Sequence, residues 1–384
     1  MPLKILIAPD SFKGSLTAAA AAAAIRTGFF RVWPRAEYRL LPLADGGEGT
    51  LAALLAARGG RRFRLEVRGP RGRPVRAVCG QLPDASGVVE IASAGGLPLL
   101  EASERNPRLA SSYGNGQVIR FLLGRPVSGL LIGLGGSATV DGGLGMLTAL
   151  GARFLDVRGR VLSGIGGDLE RVRAIDLSNL DCRLQGLPVT ALCDVDNPLL
   201  GVRGAARVFG PQKGAGPAMV ERLEAGLANF AERVRSELGF DGARRPGAGA
   251  AGGLGFGLAA CLGARLVNGA DFIMKSLGLE RFLAWSDLAV SGEGRVDGQV
   301  KFGKALHRVG GLARQVGRPL LVFCGERDLA DRERRRLGFT AVFAIEPGPV
   351  TGAEAMARAR IYLADTAAET ARLMAGTPGR FARD

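Results

Sequence analysis

Apolar and polar positions follow two rhythms along this chain. Short apolar runs at 4–8 and 38–41 read as buried strands. Each leads into a polar, glycine-bearing loop and then into a 3.6-residue rhythm. The first helix is capped by Ser15 or Thr17 and runs to Trp33, where Pro34 stops it; the second ends at Gly59-Gly60. Strand, loop and helix twice over is the grammar of a parallel α/β sheet, with function at the strand C-ends. From 62 the rhythm changes to short strands at 62–67, 75–79 and 88–91, joined by RGPRGRP and LPDASG turns, which predicts antiparallel pairing. A helix near 116–123, a strand at 128–133, a strand ending near Cys193, an amphipathic helix over 219–238 and a glycine- and alanine-rich helical stretch from 247 follow. From 287 the strand–helix alternation returns, with strands at 287–291, 319–324 and 339–345 and helices at 302–316 and 353–374. The expected class is α/β. One domain is built from both ends, 1–64 plus 286–384, and a mixed α/β domain, 65–285, is inserted between them.

Composition narrows the function classes. Glycine is unusual: 59 of 384 residues, without a collagen period and clustered at strand-to-helix junctions, which suggests loops that approach a ligand. The formal net charge of +15 comes from scattered arginines, and aromatics are 6%, too few for a nucleic-acid stacking platform. Nucleic acid is therefore not expected as a partner. Only six lysines occur, and Lys13, Lys213, Lys301 and Lys304 lie in glycine-rich motifs, where a compact ammonium suits an anion. Five cysteines without CxxC spacing suggest free thiols in a reducing cytoplasm. The opening MPLKILIAPD is too short a run for a secretory leader, and the alanine run at 18–24 is too short to span a membrane. With His307 as the one histidine, a histidine metal cluster is excluded.

The motif stretches carry several readings. Residues 287–304 pass from an apolar strand into glycines alternating with charge, the layout of an anion-binding loop ahead of a helix. GQVKFGKA (298–305) nearly matches a P-loop but has Ala305 where a hydroxyl would hold Mg²⁺. Gly133–Ala138 fits a dinucleotide fingerprint, with Asp156 about where a ribose-binding acid would stand, so a nicotinamide-dependent hydroxyacid dehydrogenase stays open. Asp194 and Asp196 could share a cation or merely shape a turn before Pro198. Asp45 and Glu48 could serve a ligand or a helix N-terminus, and Asp141 could simply cap its helix. Together these loops supply what phosphoryl transfer needs: cations for the phosphates, carboxylates for Mg²⁺, and a base.

The strings IAPDSFKGSL (7–16), PLADGGEGT (42–50), IGLGGSATVDGG (132–143), CDVDNPLLG (193–201), FGPQKGA (209–215), GAGAAGGLG (247–255) and SGEGRVDGQ (291–299) resemble, in order and over nearly the full length, the bacterial glycerate kinase family, type I. The resemblance implies a Rossmann-like domain from both chain ends, an inserted α/β domain and an active site in the cleft between. It also implies ATP-dependent phosphorylation of D-glycerate, with 2-phosphoglycerate as product and the 3-hydroxyl as the alternative acceptor. ATP and Mg²⁺ are the cofactors expected, glycerate and nucleotide the partners, with no membrane partner and a homodimer left open. Two departures stand out: Leu306 replaces a proline, and Gln117 stands where Glu is expected.

The roles assigned on this basis are expectations. Asp194 acts as base or metal ligand, with Lys13 and Lys304 on the phosphates. Asp45, Glu48, Arg295 and Ser93 bind substrate. Asp10, Ser11, Gly135, Gly136, Ser137, Lys213, Gly292 and Gly294 hold the nucleotide phosphates, and Asp196, Glu293 and Asp297 complete the metal shell.

Overall fold

The computed structural model describes residues 2–296 and 305–376. Its strands are, in chain order, β1 (Lys4–Ile7), β2 (Glu37–Leu40), β3 (Arg61–Arg68), β4 (Pro74–Gln81), β5 (Ser86–Glu90), β6 (Gly129–Gly133), β7 (Arg153–Leu155), β8 (Ala174–Asp176), β9 (Val189–Cys193), β10 (Arg265–Asn268), β11 (Leu288–Val296), β12 (Leu320–Arg327) and β13 (Ala341–Ala344). They fall into two compact units, 1–45 with 52–57 and 270–384, and 46–51 with 58–269. The boundaries differ from the 64/65 and 285/286 divisions read from the sequence. β3 pairs with β4 from Arg61↔Gln81 to Arg68↔Pro74, so all of it belongs to the second unit. At the other end, the pair Arg308–Asp271 at 3.1 Å ties the helix Gly269–Leu277 to the first unit.

The first unit is a five-stranded sheet in the order β13-β12-β11-β1-β2, parallel throughout. Its central strands are apolar at successive positions, as strands covered on both faces must be; Ile5, Leu6 and Ile7 are fully buried. The helix Ala18–Phe30 starts at Thr17, whose Oγ1 accepts from Ala20 N at 3.2 Å, so Thr17 rather than Ser15 is its cap. It packs on the helix Gly352–Ala375 at Gly28, where an added Cβ would lie 2.1 Å from the Ala364 carbonyl oxygen. The two helix backbones meet there with no side chain between them.

The second unit holds a six-stranded sheet, β10-β9-β6-β5-β4-β3. The antiparallel expectation holds for β3, β4 and β5 only; β5, β6, β9 and β10 run parallel. The helix Tyr113–Leu123 lies in the connection from β5 to β6, which a parallel neighbour requires. β10 and the β7–β8 pair were not foreseen, because three or four residues carry no readable period. The helix Ala250–Leu262 is interrupted by Ala251, Gly252 and Gly253, all at positive φ. At Gly252 a Cβ would stand 2.1 Å from the Thr139 carbonyl oxygen.

One expectation near the candidate site is corrected. The chain does not leave its strand at Gly292. β11 continues to Val296 and pairs with β12 from Ala289↔Leu320 to Val296↔Arg327. Gly292 is a glycine because a Cβ there would be 2.5 Å from Phe323 O and 3.3 Å from the Phe12 ring.

Gly28→Val is expected to destabilise the protein by about 1–3 kcal/mol, through overpacking at the helix crossing. A thermal melt of the variant showing an unchanged Tm would contradict that contact.

Candidate active site

In the first unit the chain leaves β1 and extends the sheet ladder for two more steps, Ala8 N to Val290 O at 2.7 Å and Asp10 N to Gly292 O at 2.9 Å. Ser291 Oγ donates to Ala8 O at 2.7 Å and fixes the same junction. Asp10 is thereby held at the C-terminal edge of the parallel sheet, and its Oδ1 accepts from Ser11 N at 2.6 Å. Burial pushes the Asp10 carboxyl up to about 6, and the nearby Asp45 charge adds to the rise. Ser11 and the Lys13 ammonium oppose it without cancelling it. Asp10, Asp45, Ser11 and Lys13 thus form one electrostatic group, with Lys13 exposed. Two carboxylates that repel each other at a strand edge are a donor set that fits Mg²⁺, which asks for one or two carboxylates and keeps its remaining sites for water or phosphate oxygens.

Gly292 and Gly294 lie within β11, and the Phe12–Lys13 backbone crosses Gly294 at 3.4–3.5 Å from where a Cβ would stand. Their open faces are taken by the 9–13 loop and by Phe323. Glu293 is half-buried on the same strand, and Arg295 pairs with Glu326 at 3.5 Å with more than half of each side chain exposed. Lys304 and Asp297 lie outside the described residues. Leu306 is buried in the first turn of the helix Ala305–Gln315.

In the second unit the loop at 46–49 seats on the end of β6 backbone to backbone. A Cβ on Gly133 would be 2.5 Å from Gly46 O, and one on Gly135 would be 2.6 Å from Gly47 Cα. Glu48 is exposed on this loop. The following helix, Thr50–Arg58, is capped by a residue that the sequence reading missed: Glu90 Oε1 accepts from Leu51 N at 2.8 Å. Burial raises the Glu90 carboxyl, and its hydrogen bonds at the helix N-terminus counter that rise. A Glu closing a strand and separated by 39 positions from its partner carries no local signal.

Ser137 and Lys213 are brought together. Lys213 is buried and donates to Ser137 Oγ and to Thr139 O, both at 2.7 Å. Burial pushes its ammonium down to about 7, with the Asp141 charge pulling the other way. Asp141, fully buried, accepts from Ser112 N and Oγ at 2.7 Å and from Gly143 N at 3.1 Å, at the start of the helix Leu144–Ala149. Asp141 ties the turn ahead of this helix, whose N-cap is Gly143, to Ser112 and reaches Gly145 N in the first turn only at 3.4 Å. Lys213 spends its donors on the 134–143 loop, so it orders that loop. Gly136 is exposed at φ 74°, and Gly135 is half-buried.

Other expected site residues are held in different ways. Ser93 Oγ accepts from Val78 N at 2.5 Å, tying the turn after β5 to β4. Asp194 is exposed at the end of β9, and Asp196 is exposed and paired with Arg203 at 2.7 Å. Asn197, not an aspartate, ties this turn, donating to Arg203 O at 2.7 Å. Gln117 Oε1 accepts from Arg68 N at 2.8 Å, a bond that an amide serves as well as an acid. Asp156 closes its own turn with Arg158 N and Arg160 N, so it is not a ribose-binding acid. Among the described residues, no cluster of three or more acidic, histidine or cysteine side chains stands ready for a metal. The five cysteines are free, and burial pushes the Cys79, Cys193 and Cys324 thiols up to about 12.

The chain is similar over nearly its whole length to known proteins. The model of the glycerate kinase family matches residues 5–375. A glycerate kinase of Bacillus subtilis strain 168 is 42% identical over 370 residues, 96% of this chain and 97% of that protein. The glycerate 2-kinase of Escherichia coli K12 is 41% identical over 344 residues, 89% of this chain and 90% of its own length. A solved Salmonella typhimurium LT2 chain assigned to glycerate kinase 2 superposes with a TM-score of 0.86 at 42% identity, covering 98% of this chain and 99% of that one.

The Lys213 arrangement has a pH signature. Between pH 7 and 10 the unfolded chain holds a proton on Lys213 that the folded chain lacks, so stability rises with pH across that window. Thermal melts of wild type and Lys213→Met at several pH values should show a steeper rise for wild type. Parallel curves would place the amine outside the interior.

Proposed function

The chain belongs to the glycerate kinase family, and from that membership we propose that it transfers the γ-phosphoryl group of ATP to the 2-hydroxyl of D-glycerate. The observation that carries this reading is the likeness over nearly the whole length to glycerate kinases, one of them named a 2-kinase. The 3-hydroxyl is the alternative acceptor. The dehydrogenase reading loses its support, because Asp156 is held by its own turn.

Kinase chemistry rests on positioning and on charge stabilisation of the transferring group. We assign Lys13, Lys304 and Ser11 to the phosphates, and give the backbone of Gly135 and Gly136 a phosphate-binding role of its own. Lys213 and Ser137 hold that backbone in place. Mg²⁺, when bound, neutralises charge on the phosphate oxygens, and Asp10 and Asp45 are the donor pair that fits it best. The further ligand roles given to Glu293 and Asp297 stay with this proposal. Asp196, already held by Arg203, fits less well. Asp194 takes the proton of the acceptor hydroxyl. Arg295, Glu48 and Ser93 are assigned to the glycerate carboxylate and hydroxyls. The buried free thiols fit a reducing cytoplasm.

ADP release measured by a coupled assay should require both D-glycerate and Mg²⁺. Asp194→Asn and Lys304→Ala should each lower kcat by about a hundredfold or more. Near-wild-type turnover in either variant removes that residue from the chemistry. Tight NADH binding without any ATP consumption would overturn the kinase reading itself.

A further inference from the structure

We propose that a groove on the flank of the first unit binds a small amphipathic organic anion, an acidic head on an apolar body, at a site whose described lining residues include none of those assigned to phosphoryl transfer. The groove is lined by the helices Gly269–Leu277, Leu279–Trp285 and Ala305–Gln315 and encloses about 630 Å³. That volume lies in the range of small-molecule sites. Its apolar wall is Met274, Leu279 and Leu312.

Two adjacent glycines show that the space is built in. Gly310 has a packing reason to lack a side chain, because a Cβ there would be 2.0 Å from Leu337 O. Gly311 lines the groove and has none: a Cβ there meets no atom within 4 Å. A glycine inside a helix costs roughly 1 kcal/mol against alanine. Here it leaves open a cavity that any larger residue would narrow.

The charges at the groove favour an anion. Arg308 is matched by Asp271 at 3.1 Å. Lys275 and Arg281 then face a single carboxylate, Glu280, which leaves one positive charge in excess. His307 also lines the groove, and its Nδ1 is buried without a hydrogen-bond partner among the described residues. An apolar wall beside an excess cation fits a ligand with one acidic head and an apolar body.

The probe for this site is anilinonaphthalene sulfonate, an amphipathic fluorescent anion, titrated into the full-length protein. Saturable binding at one site is expected, with displacement by octanoate and not by octanol. Gly311→Leu fills the groove and improves helix propensity, so its Tm should stay level or rise while its affinity falls at least about tenfold. Lys275→Glu should lose a similar factor. A titration that does not saturate, equal displacement by octanol, or wild-type affinity in Gly311→Leu would each overturn the proposal. Because binding is read by fluorescence, none of these outcomes depends on whether glycerate is the substrate.

Discussion

The structure depends on backbones meeting without side chains between them. Gly46 and Gly47 lie against Gly133 and Gly135, Gly252 against Thr139, Gly292 against Phe323, and Gly28 against Ala364. At each, an added methyl group would sit 2.1–2.6 Å from a neighbouring backbone atom, well inside contact distance. Such contacts fix the strand-end loops to the sheets more rigidly than side-chain packing could, because a backbone has no rotamer to yield. Catalysis by positioning needs that rigidity, since small displacements of a reacting group are costly.

Buried charge is the second constraint. Asp141 and Lys213 are taken out of water, Asp10 and Glu90 are half-buried, and in each case burial is the largest influence on the proton affinity. Each is held by hydrogen bonds to backbone or hydroxyl groups, from the next residue for Asp10 and from segments distant in sequence for Glu90, Asp141 and Lys213. Removing any one partner would strand a polar group in the interior, so these residues lock the loops as firmly as the glycines do. Asp10 stands beside a second carboxylate, Asp45, and Glu90 beside Glu48, and in each case the neighbouring charge adds to the rise that burial causes.

Much of this was legible in the sequence. The α/β class, the return to strand–helix alternation near 287 and the cap of the first helix follow from periodicity and end signals that act locally. The parallel half of the second sheet, β10 and the β7–β8 pair were not legible, because short strands are defined by partners distant in sequence. The glycine-rich stretches were read as ligand loops, and many of them admit another backbone instead; composition alone cannot separate the two uses. Lys213 was read as a phosphate ligand for the same reason. Its motif setting was visible, but its burial against Ser137 and Thr139 was not. Glu90 escaped notice because its partner, Leu51, belongs to a different strand–helix unit of the chain.

The account as a whole assigns these loops to moving a phosphoryl group onto one hydroxyl of a three-carbon acid. ³¹P and ¹H NMR of the product formed from D-glycerate and Mg·ATP tests that most directly. The account predicts a single phosphomonoester whose phosphorus couples to the C2 proton. Phosphorus coupled to the C3 protons would contradict the assigned acceptor, and unchanged glycerate beside intact ATP would contradict the activity.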